Sequence, residues 1–251
     1  MFSNSLRSFF YKLHRQSGLA RFAADAMSWG FMVGVKTLRI PPPYDLTPLT
    51  IISHRYQFIY IGIPKVATRS FRDFFTSDAA KNFDIEMYET KKGFQQTLAK
   101  YSNYYKFSFV RDPFSRTLSC YNSKIGHADL SLLKRARIMS FYKGLRPGMS
   151  FDAFANWLCS NEGQDERADR HWMSQYRFLY DENGAPLCDF VGTYENLDKD
   201  VDKICKHLKM PHITRPQSGW ISENNASISP ESYALIKGRY AQDYQLFDYS
   251  D

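Results

Sequence analysis

The chain has 251 residues, 43% of them hydrophobic and 24% charged, which suits one globular core and argues against a disordered protein. Its formal net charge is +7, but residues 1–40 hold six lysines and arginines against one aspartate and so carry five of those charges. In the rest of the chain, positive and negative charges are nearly balanced, so the basic composition does not indicate nucleic-acid binding.

The first element in chain order is a basic amino-terminal arm, residues 1–48. Apolar residues recur in it at the i, i+3, i+4, i+7 spacing of one helix face: Leu6, Phe9, Phe10 and Leu13. Residues 22–35 are apolar but contain Asp25 and are too short to cross a bilayer, and no secretory cleavage pattern follows them. Two alternatives stand, a helix lying in a membrane interface or a helix packed on its own domain. Because residues 39–48 are rich in proline, we end the arm there and assign residues 49–251 to the domain.

Residues 58–75, FIYIGIPKVATRSFRDFF, are typical of a buried strand, a short loop and a helix. Such a loop points backbone N–H groups and a helix dipole at one place, so it is suited to bind an anion. Lys65 adds a positive charge to this loop, although the phosphate-binding pattern GxxxxGK[ST] is absent. A surface lysine in an ordinary turn is the alternative interpretation.

A second buried strand is predicted at residues 106–111, KFSFVR, and it ends at an arginine. Arg111 stands at the carboxyl end of this strand, and Ser119 follows eight residues later in the next predicted helix. An arginine and a serine so placed can converge on one phosphate. The pair therefore predicts a second phosphate contact beside the lysine loop.

Later segments continue the alternation of strands and helices. Ser150 is a candidate N-cap for a helix over residues 151–158, a third strand is predicted at residues 188–194, and a helix follows at residues 196–208. This order indicates a parallel sheet and an α/β fold. Four cysteines without a CxxC pair favour free thiols in a reducing compartment over a disulfide framework or a metal site: Cys120, Cys159, Cys188 and Cys205.

These segments resemble the signatures of PAPS-dependent carbohydrate sulfotransferases. PKVATRS at residues 64–70 is similar to their PKxxTxS-type loop, and RDPFSRTLSCY at residues 111–121 is similar to their RxPxxRxxSxY motif. Three further segments match in order: RHWMSQ (170–175) with HWxPQ, CDFVGTYENLDKDV (188–201) with DFVGrYExLexD, and YAQDYQLFDY (240–249) with YxxDyxlFxY. The resemblance covers residues 56–249 and implies a P-loop NTPase-like three-layer fold, with a central parallel sheet flanked by helices.

The resemblance also implies an activity: transfer of a sulfuryl group from PAPS (3′-phosphoadenosine 5′-phosphosulfate) to a carbohydrate-type hydroxyl, releasing adenosine 3′,5′-bisphosphate. By the same resemblance, Lys65 contacts the 5′-phosphate and the bridging oxygen and stabilises the leaving charge. Arg111 and Ser119 hold the 3′-phosphate, and Tyr194 contacts the adenine. The remaining phosphosulfate contacts come from the loop residues Val66, Ala67, Thr68, Arg69 and Ser70. The chemistry requires no metal.

The acceptor hydroxyl must lose a proton, and His171 is the leading candidate for the general base because it lies in a family-like motif. The alternative is that His171 and Trp172 form a structural pair that braces the sheet. Acidic alternatives for the base are Glu86, Glu89 and Glu195. One basic run is a candidate lining for an anionic acceptor groove, or else a solvated helix face: Lys124, Lys134, Arg135, Arg137, Lys143 and Arg146.

The sequence departs from the pattern of vertebrate members. Arg69, Ser70 and Phe71 stand where those members commonly have another hydroxyl or Asn and then Trp, and Ser174 replaces the proline of HWxPQ. With no membrane anchor expected, we interpret the chain as a bacterial-type, cytoplasmic relative, with peripheral contact to the inner membrane face through residues 1–40 as an open alternative. Two other function classes stay open, a P-loop-like kinase that uses ATP and an inactive relative that binds anionic glycans.

Overall fold

The structure is a computed structural model. It describes residues 48–89, 91–126, 141–213 and 228–249. The predicted arm lies outside the described residues except at position 48, so its amphipathic helix stays a prediction. Lys134, Arg135 and Arg137 of the predicted acceptor groove also lie outside them.

Strands and helices alternate through most of the described chain. The strands are β1 (Leu49–Ser53), β2 (Phe58–Gly62), β3 (Ile85–Tyr88), β4 (Tyr105–Val110) and β5 (Phe190–Thr193). The α-helices are α1 (Thr68–Phe75), α2 (Lys91–Lys100), α3 (Pro113–Lys124), α4 (Phe151–Cys159), α5 (Tyr176–Leu179), α6 (Leu197–His207), α7 (Pro230–Arg239) and α8 (Ala241–Leu246). Short 3₁₀ helices lie at Asp78–Ala80, Asp165–Arg167 and Tyr194–Asn196. As predicted, Ser150 caps α4, since its side chain accepts a hydrogen bond from the Ala153 N–H.

The strands form one mixed sheet in the order β3-β1-β2-β4-β5. β2, β4 and β5 run parallel, whereas β1 is antiparallel to both β2 and β3. The α/β prediction is thus confirmed in this coarser form, but the prediction of a parallel sheet is wrong for β1. The reason is the connection: a turn at residues 54–57 is too short for a parallel crossover, so β1 and β2 form a hairpin.

Aromatic side chains on the sheet hold α1 in place. All five residues of β2 are buried, and the Tyr60 ring lies 4.6 Å from that of Phe71 on α1. Phe71 also stacks on Phe109 of β4, with ring centroids 5.3 Å apart. Because such rings bury large apolar areas, the helix that follows the Lys65 segment is fixed to two central strands. Gly192 lets β5 approach β4, since a Cβ there would lie 2.7 Å from the Phe109 ring.

The three parallel strands end at one edge of the sheet, and each is followed by a predicted site segment. β2 leads into the Lys65 loop, defined here as residues 63–67, β4 leads into Arg111, and β5 leads into Tyr194. Ligands of open α/β sheets bind at this carboxyl edge. The fold therefore gathers three of the predicted segments at one place.

The chain separates into two compact units. One comprises Tyr44–Ser123 and Ser150–Asp251 and contains all the site residues described below. The other comprises Met1–Pro43 and Lys124–Met149, so the predicted groove residues Lys124, Lys143 and Arg146 belong to it. Among the described residues, no helix has the length and hydropathy needed to cross a membrane.

Candidate active site

The Lys65 loop has an uncommon backbone. Lys65 (φ 72°) and Ala67 (φ 51°) both adopt positive φ although neither is a glycine. Such conformations cost energy and persist where the surroundings hold them. Ala67 is the N-cap residue of α1, and no side chain among the described residues caps that helix. Its first backbone N–H groups are thus available to an anion.

Three successive carbonyl oxygens of this loop accept hydrogen bonds from side chains. Ile63 O accepts from Thr68 Oγ1 at 2.5 Å, and Pro64 O accepts from Arg116 Nε at 3.1 Å. Lys65 O accepts from Arg111 Nη1 at 3.5 Å. Carbonyl oxygens repel an anion, so engaging them with donors suits an anion-binding loop. In this arrangement the Thr68 hydroxyl donates to the backbone, and it must rotate before it can donate to a ligand as predicted.

Lys65 reaches across to helix α3. Its Nζ donates a hydrogen bond to Ser123 Oγ at 2.7 Å. Ser123 lies one turn after the predicted phosphate ligand Ser119, which is partly exposed on the same helix. The sequence analysis missed Ser123, and its spacing of four from Ser119 is the signal that could have found it.

Arg111 is held on several sides at the end of β4. Its main-chain N–H donates to Gln175 Oε1 at 3.0 Å, and Gln175 Nε2 donates to Arg111 O at 2.8 Å. The guanidinium carbon lies 4.5 Å from the centroid of the Tyr194 ring, a cation–π contact. Its Nε is buried and has no hydrogen-bond partner among the described residues. A buried donor of this kind fits a site for an anionic ligand such as a phosphate.

The predicted cofactor residues thus come together in part. Lys65, Arg111 and Tyr194 form one connected set, through the contacts of Arg111 with the Lys65 carbonyl and the Tyr194 ring. Val66 is fully buried, so its side chain supports the loop and does not face solvent. Ser70 is buried and Arg69 is exposed in the first turn of α1.

His171 is paired with a carboxylate in the turn of residues 169–173, here named the His171 turn. Its main-chain N–H donates to Asp169 Oδ1 at 2.9 Å, and its ring Nδ1 makes a short contact with the same oxygen. The His171 side chain is 21% exposed, whereas Trp172 is 3% exposed and packs edge-on against Trp157. Trp172 is therefore a core residue, and His171 lies in a different environment from its neighbour.

The three acidic alternatives for the base have other partners. Glu86 accepts a hydrogen bond from Tyr88, which holds the pKa of Glu86 below its usual range, and it also contacts His54. Glu89 forms an ion pair with Arg72. Glu195 accepts from the Asp112 N–H at 3.0 Å and from the Tyr249 hydroxyl at 2.7 Å. Each of the three carboxylates is thus already engaged, as His171 is by Asp169, and His171 stays the predicted base.

Residues 240–249, here named the carboxyl-terminal clasp, bind the loops around the site. Tyr240 Oη donates to Trp172 O at 2.6 Å, and Tyr249 Oη donates to Glu195, beside Tyr194. The carboxylate of Asp243 accepts two backbone N–H bonds, from Gln175 at 2.8 Å and Tyr176 at 2.9 Å. Burial raises the pKa of Asp243 to about 6, although the two hydrogen bonds and the Arg116 charge act in the opposite direction.

The comparison with known protein families agrees with this geometry. The model of the sulfotransferase family matches residues 48–250. The chain belongs to the sulfotransferase family. The predicted resemblance is thereby confirmed.

Curated relatives of this family member carry the name carbohydrate sulfotransferase. Carbohydrate sulfotransferase 14 of Mus musculus is 28% identical, in a match that covers 79% of this chain and 59% of the relative. Carbohydrate sulfotransferase 11 of Rattus norvegicus is 25% identical, in a match that covers 84% of this chain and 70% of the relative. The chain thus spans about 59% of the length of the first of these relatives. No solved structure gives a significant match.

Proposed function

We propose that this sulfotransferase-family domain transfers a sulfuryl group from PAPS to a hydroxyl of a carbohydrate-type acceptor and releases adenosine 3′,5′-bisphosphate. The observation that carries the proposal is the contact between two signature segments distant in sequence, Arg111 Nη1 with Lys65 O, at the carboxyl edge of the parallel strands. The names of the relatives support a carbohydrate acceptor.

Donor binding follows from the charges at this edge. The uncapped N-terminus of α1 receives the 5′-phosphosulfate, and Arg111 Nε supplies a donor to the 3′-phosphate together with Ser119. The exposed Tyr194 ring stacks on the adenine from the side opposite the Arg111 contact. No group of three or more His, Cys, Asp or Glu side chains within the described ranges is placed to hold a metal ion.

The transfer step breaks the bond between sulfur and the bridging oxygen and forms a bond between sulfur and the acceptor oxygen. Negative charge moves onto the leaving bisphosphate, and Lys65 Nζ stabilises it after exchanging Ser123 for the ligand. Because Asp169 engages Nδ1 of His171, the neutral ring carries its proton there, and Nε2 accepts the proton of the acceptor hydroxyl.

The finer statements about fold and location are also part of the proposal. A P-loop NTPase-like three-layer fold is supported by the strand–loop–helix at β2 and α1 and by the parallel strands β2, β4 and β5. The basic charge of residues 1–40 supports a peripheral contact with an anionic membrane face and an anionic acceptor. We also propose that the protein is cytoplasmic and of the bacterial type, and that its sulfotransferase domain comprises residues 49–251.

Two measurements test the proposed activity. Adenosine 3′,5′-bisphosphate should raise the melting temperature more than ADP or ATP. The reason is that Arg111 binds the 3′-phosphate, and a ligand that binds the folded state stabilises it. Radiolabelled PAPS should then label at least one member of a panel of neutral polysaccharides, uronic-acid polysaccharides and simple glycosides. Equal or stronger stabilisation by ATP would favour the kinase alternative, and bisphosphate binding without any transfer would favour the inactive relative.

A further inference from the structure

Arg116 is the largest fully buried side chain in the described part of the chain, with 2% of its surface exposed. All three of its guanidinium nitrogens donate to main-chain oxygens. Nε donates to Pro64 O at 3.1 Å, Nη1 to Met173 O at 2.8 Å, and Nη2 to Arg170 O at 3.3 Å. A side chain of α3 thus connects two other segments of backbone.

The two segments are those that carry the candidate reacting groups. Pro64 directly precedes Lys65 in the loop, and its carbonyl is one of three in the Lys65 loop that donors engage. Arg170 and Met173 stand on either side of His171, so the guanidinium engages the His171 turn both before and after His171. The same planar group therefore fixes the donor loop and the turn of the general base relative to each other.

An arginine side chain is suited to connect two backbone segments in this way. Its five N–H donors form a rigid fork, whereas a lysine ammonium is a compact point charge on a flexible stem. Burying the charge is costly, and burial lowers the pKa of Arg116, with the carboxylates of Asp243 and Asp165 acting against that shift. An apolar residue would avoid this cost, but it could not make the three hydrogen bonds that connect the two segments.

We propose that Arg116 is a positioning residue for sulfuryl transfer: it holds the Lys65 loop and the His171 turn at a fixed separation. The acceptor hydroxyl that the general base deprotonates is thereby kept in line with the sulfur and the bridging oxygen of the donor. The inference rests on the proposed function and assigns Arg116 no contact with either substrate. Since a misplacement of about 1 Å can cost about a hundredfold in rate, loss of the fork acts on turnover more than on donor binding.

The test compares Arg116→Lys with a matched buried arginine, Arg239→Lys. Arg239 is also buried, pairs with Asp165, and donates to the carbonyls of Leu158 and Gly163 and to the Ser174 hydroxyl, all outside the two segments. For each variant, kcat is measured with the best acceptor of the labelled-PAPS panel. The Kd of adenosine 3′,5′-bisphosphate and the melting temperature are measured on the same samples.

We expect Arg116→Lys to lower kcat about 10- to 100-fold while the bisphosphate Kd changes less than about threefold. Arg239→Lys should lower the melting temperature without that kcat effect. Three results would overturn the inference: an unchanged kcat in Arg116→Lys, an equal loss of kcat and bisphosphate affinity, or an equal kcat loss in both variants. If the wild-type protein shows neither labelled transfer nor bisphosphate binding, the proposed function itself fails, which is a distinguishable outcome.

Hydrogen exchange on the wild-type protein covers the case in which Arg116→Lys does not fold. Bisphosphate binding to the Lys65 loop should slow exchange at the amides of residues 66–71 and, through Arg116, at those of residues 171–173 in the His171 turn as well. Protection of the first set with no change in the second would show that the two segments are not coupled, and the inference would be wrong.

Discussion

Lys65 and Ala67 adopt a backbone conformation that phosphate-binding loops usually assign to glycine. Here the conformation is held by hydrogen bonds from Thr68, Arg111 and Arg116 to the loop carbonyls, and by the burial of Val66. The binding loop and the residues that shape it therefore depend on each other. Single substitutions at this site should therefore differ in their effects: some should lower kcat, and others should lower ligand affinity.

Lys65→Ala should lower kcat about a hundredfold, because the lysine charge is matched to negative charge that develops in the transition state. The affinity for adenosine 3′,5′-bisphosphate should change much less. Steady-state kinetics and calorimetry measure the two quantities, with Lys81→Ala at an exposed position as the control. A loss of bisphosphate affinity as large as the loss of kcat would contradict the role given to Lys65.

Arg111→Ala should act on affinity and on the 3′-phosphate in particular. We expect about a tenfold or larger loss of affinity for adenosine 3′,5′-bisphosphate and little change for AMP, which lacks the 3′-phosphate, because charge-assisted hydrogen bonds are the strong ones. Arg177→Ala, at an exposed position, is the control. If both nucleotides lose affinity to the same extent, Arg111 does not read the 3′-phosphate.

Among the elements, α3 and the carboxyl-terminal clasp determine how the site is built. Helix α3 carries Arg116, Ser119 and Ser123, and its start is fixed by Asp112, whose carboxylate accepts from the Ser115 N–H at 2.7 Å. The clasp residue Tyr244 donates to the same carboxylate at 3.3 Å. The clasp thus reaches the loops that follow β4 and β5 and the segment after His171.

Asp243 gives the clasp a pH-dependent contribution to stability. Its folded-state pKa of about 6 lies above the unfolded value, so protonation favours the folded state. Its contribution is fully present below about pH 4 and falls by about 1.4 kcal/mol per pH unit until pH passes about 6. In urea titrations between pH 4 and 7, the free energy of unfolding of the wild type relative to Asp243→Asn should decrease over that window and level off above it.

Asp73→Asn, at an exposed carboxylate, controls for the general loss of an acidic side chain. A constant difference between the wild type and Asp243→Asn across this pH range would show that Asp243 does not titrate there.

Some of the strands could be predicted from the sequence, and others could not. β2, β4 and β5 were predicted because each is a compact apolar run beside a loop with turn residues. β3 was missed because it is a four-residue strand of intermediate burial, and β1 was missed beside the proline-rich segment. Lys65, Arg111 and His171 were predicted as site residues from local motifs, and their roles stay predictions. Gln175 and Asp243 acquire their roles from partners 64 to 68 residues away, and no local pattern encodes such contacts.

For the whole molecule, the uneven charge predicts a salt-dependent membrane contact. The full-length chain should sediment with vesicles of anionic lipid at low ionic strength and be released as salt is added, since residues 1–40 carry most of the net charge. A variant lacking residues 1–40 should lose this binding yet retain bisphosphate binding. If the arm instead packs on its domain, the full-length chain will not sediment and the truncated variant will be insoluble or melt at a markedly lower temperature.

The position of the clasp in the chain has a consequence for biosynthesis. A ribosome makes the Lys65 loop long before it makes Tyr240, Asp243 and Tyr249, which fix the surrounding loops through contacts with Trp172, Gln175 and Glu195. A nascent chain therefore carries the positive loop without the residues that order its neighbours. We therefore expect the site to bind adenosine 3′,5′-bisphosphate only after the clasp has been synthesised, and we expect a premature stop before residue 240 to leave the signature loop without an assembled site.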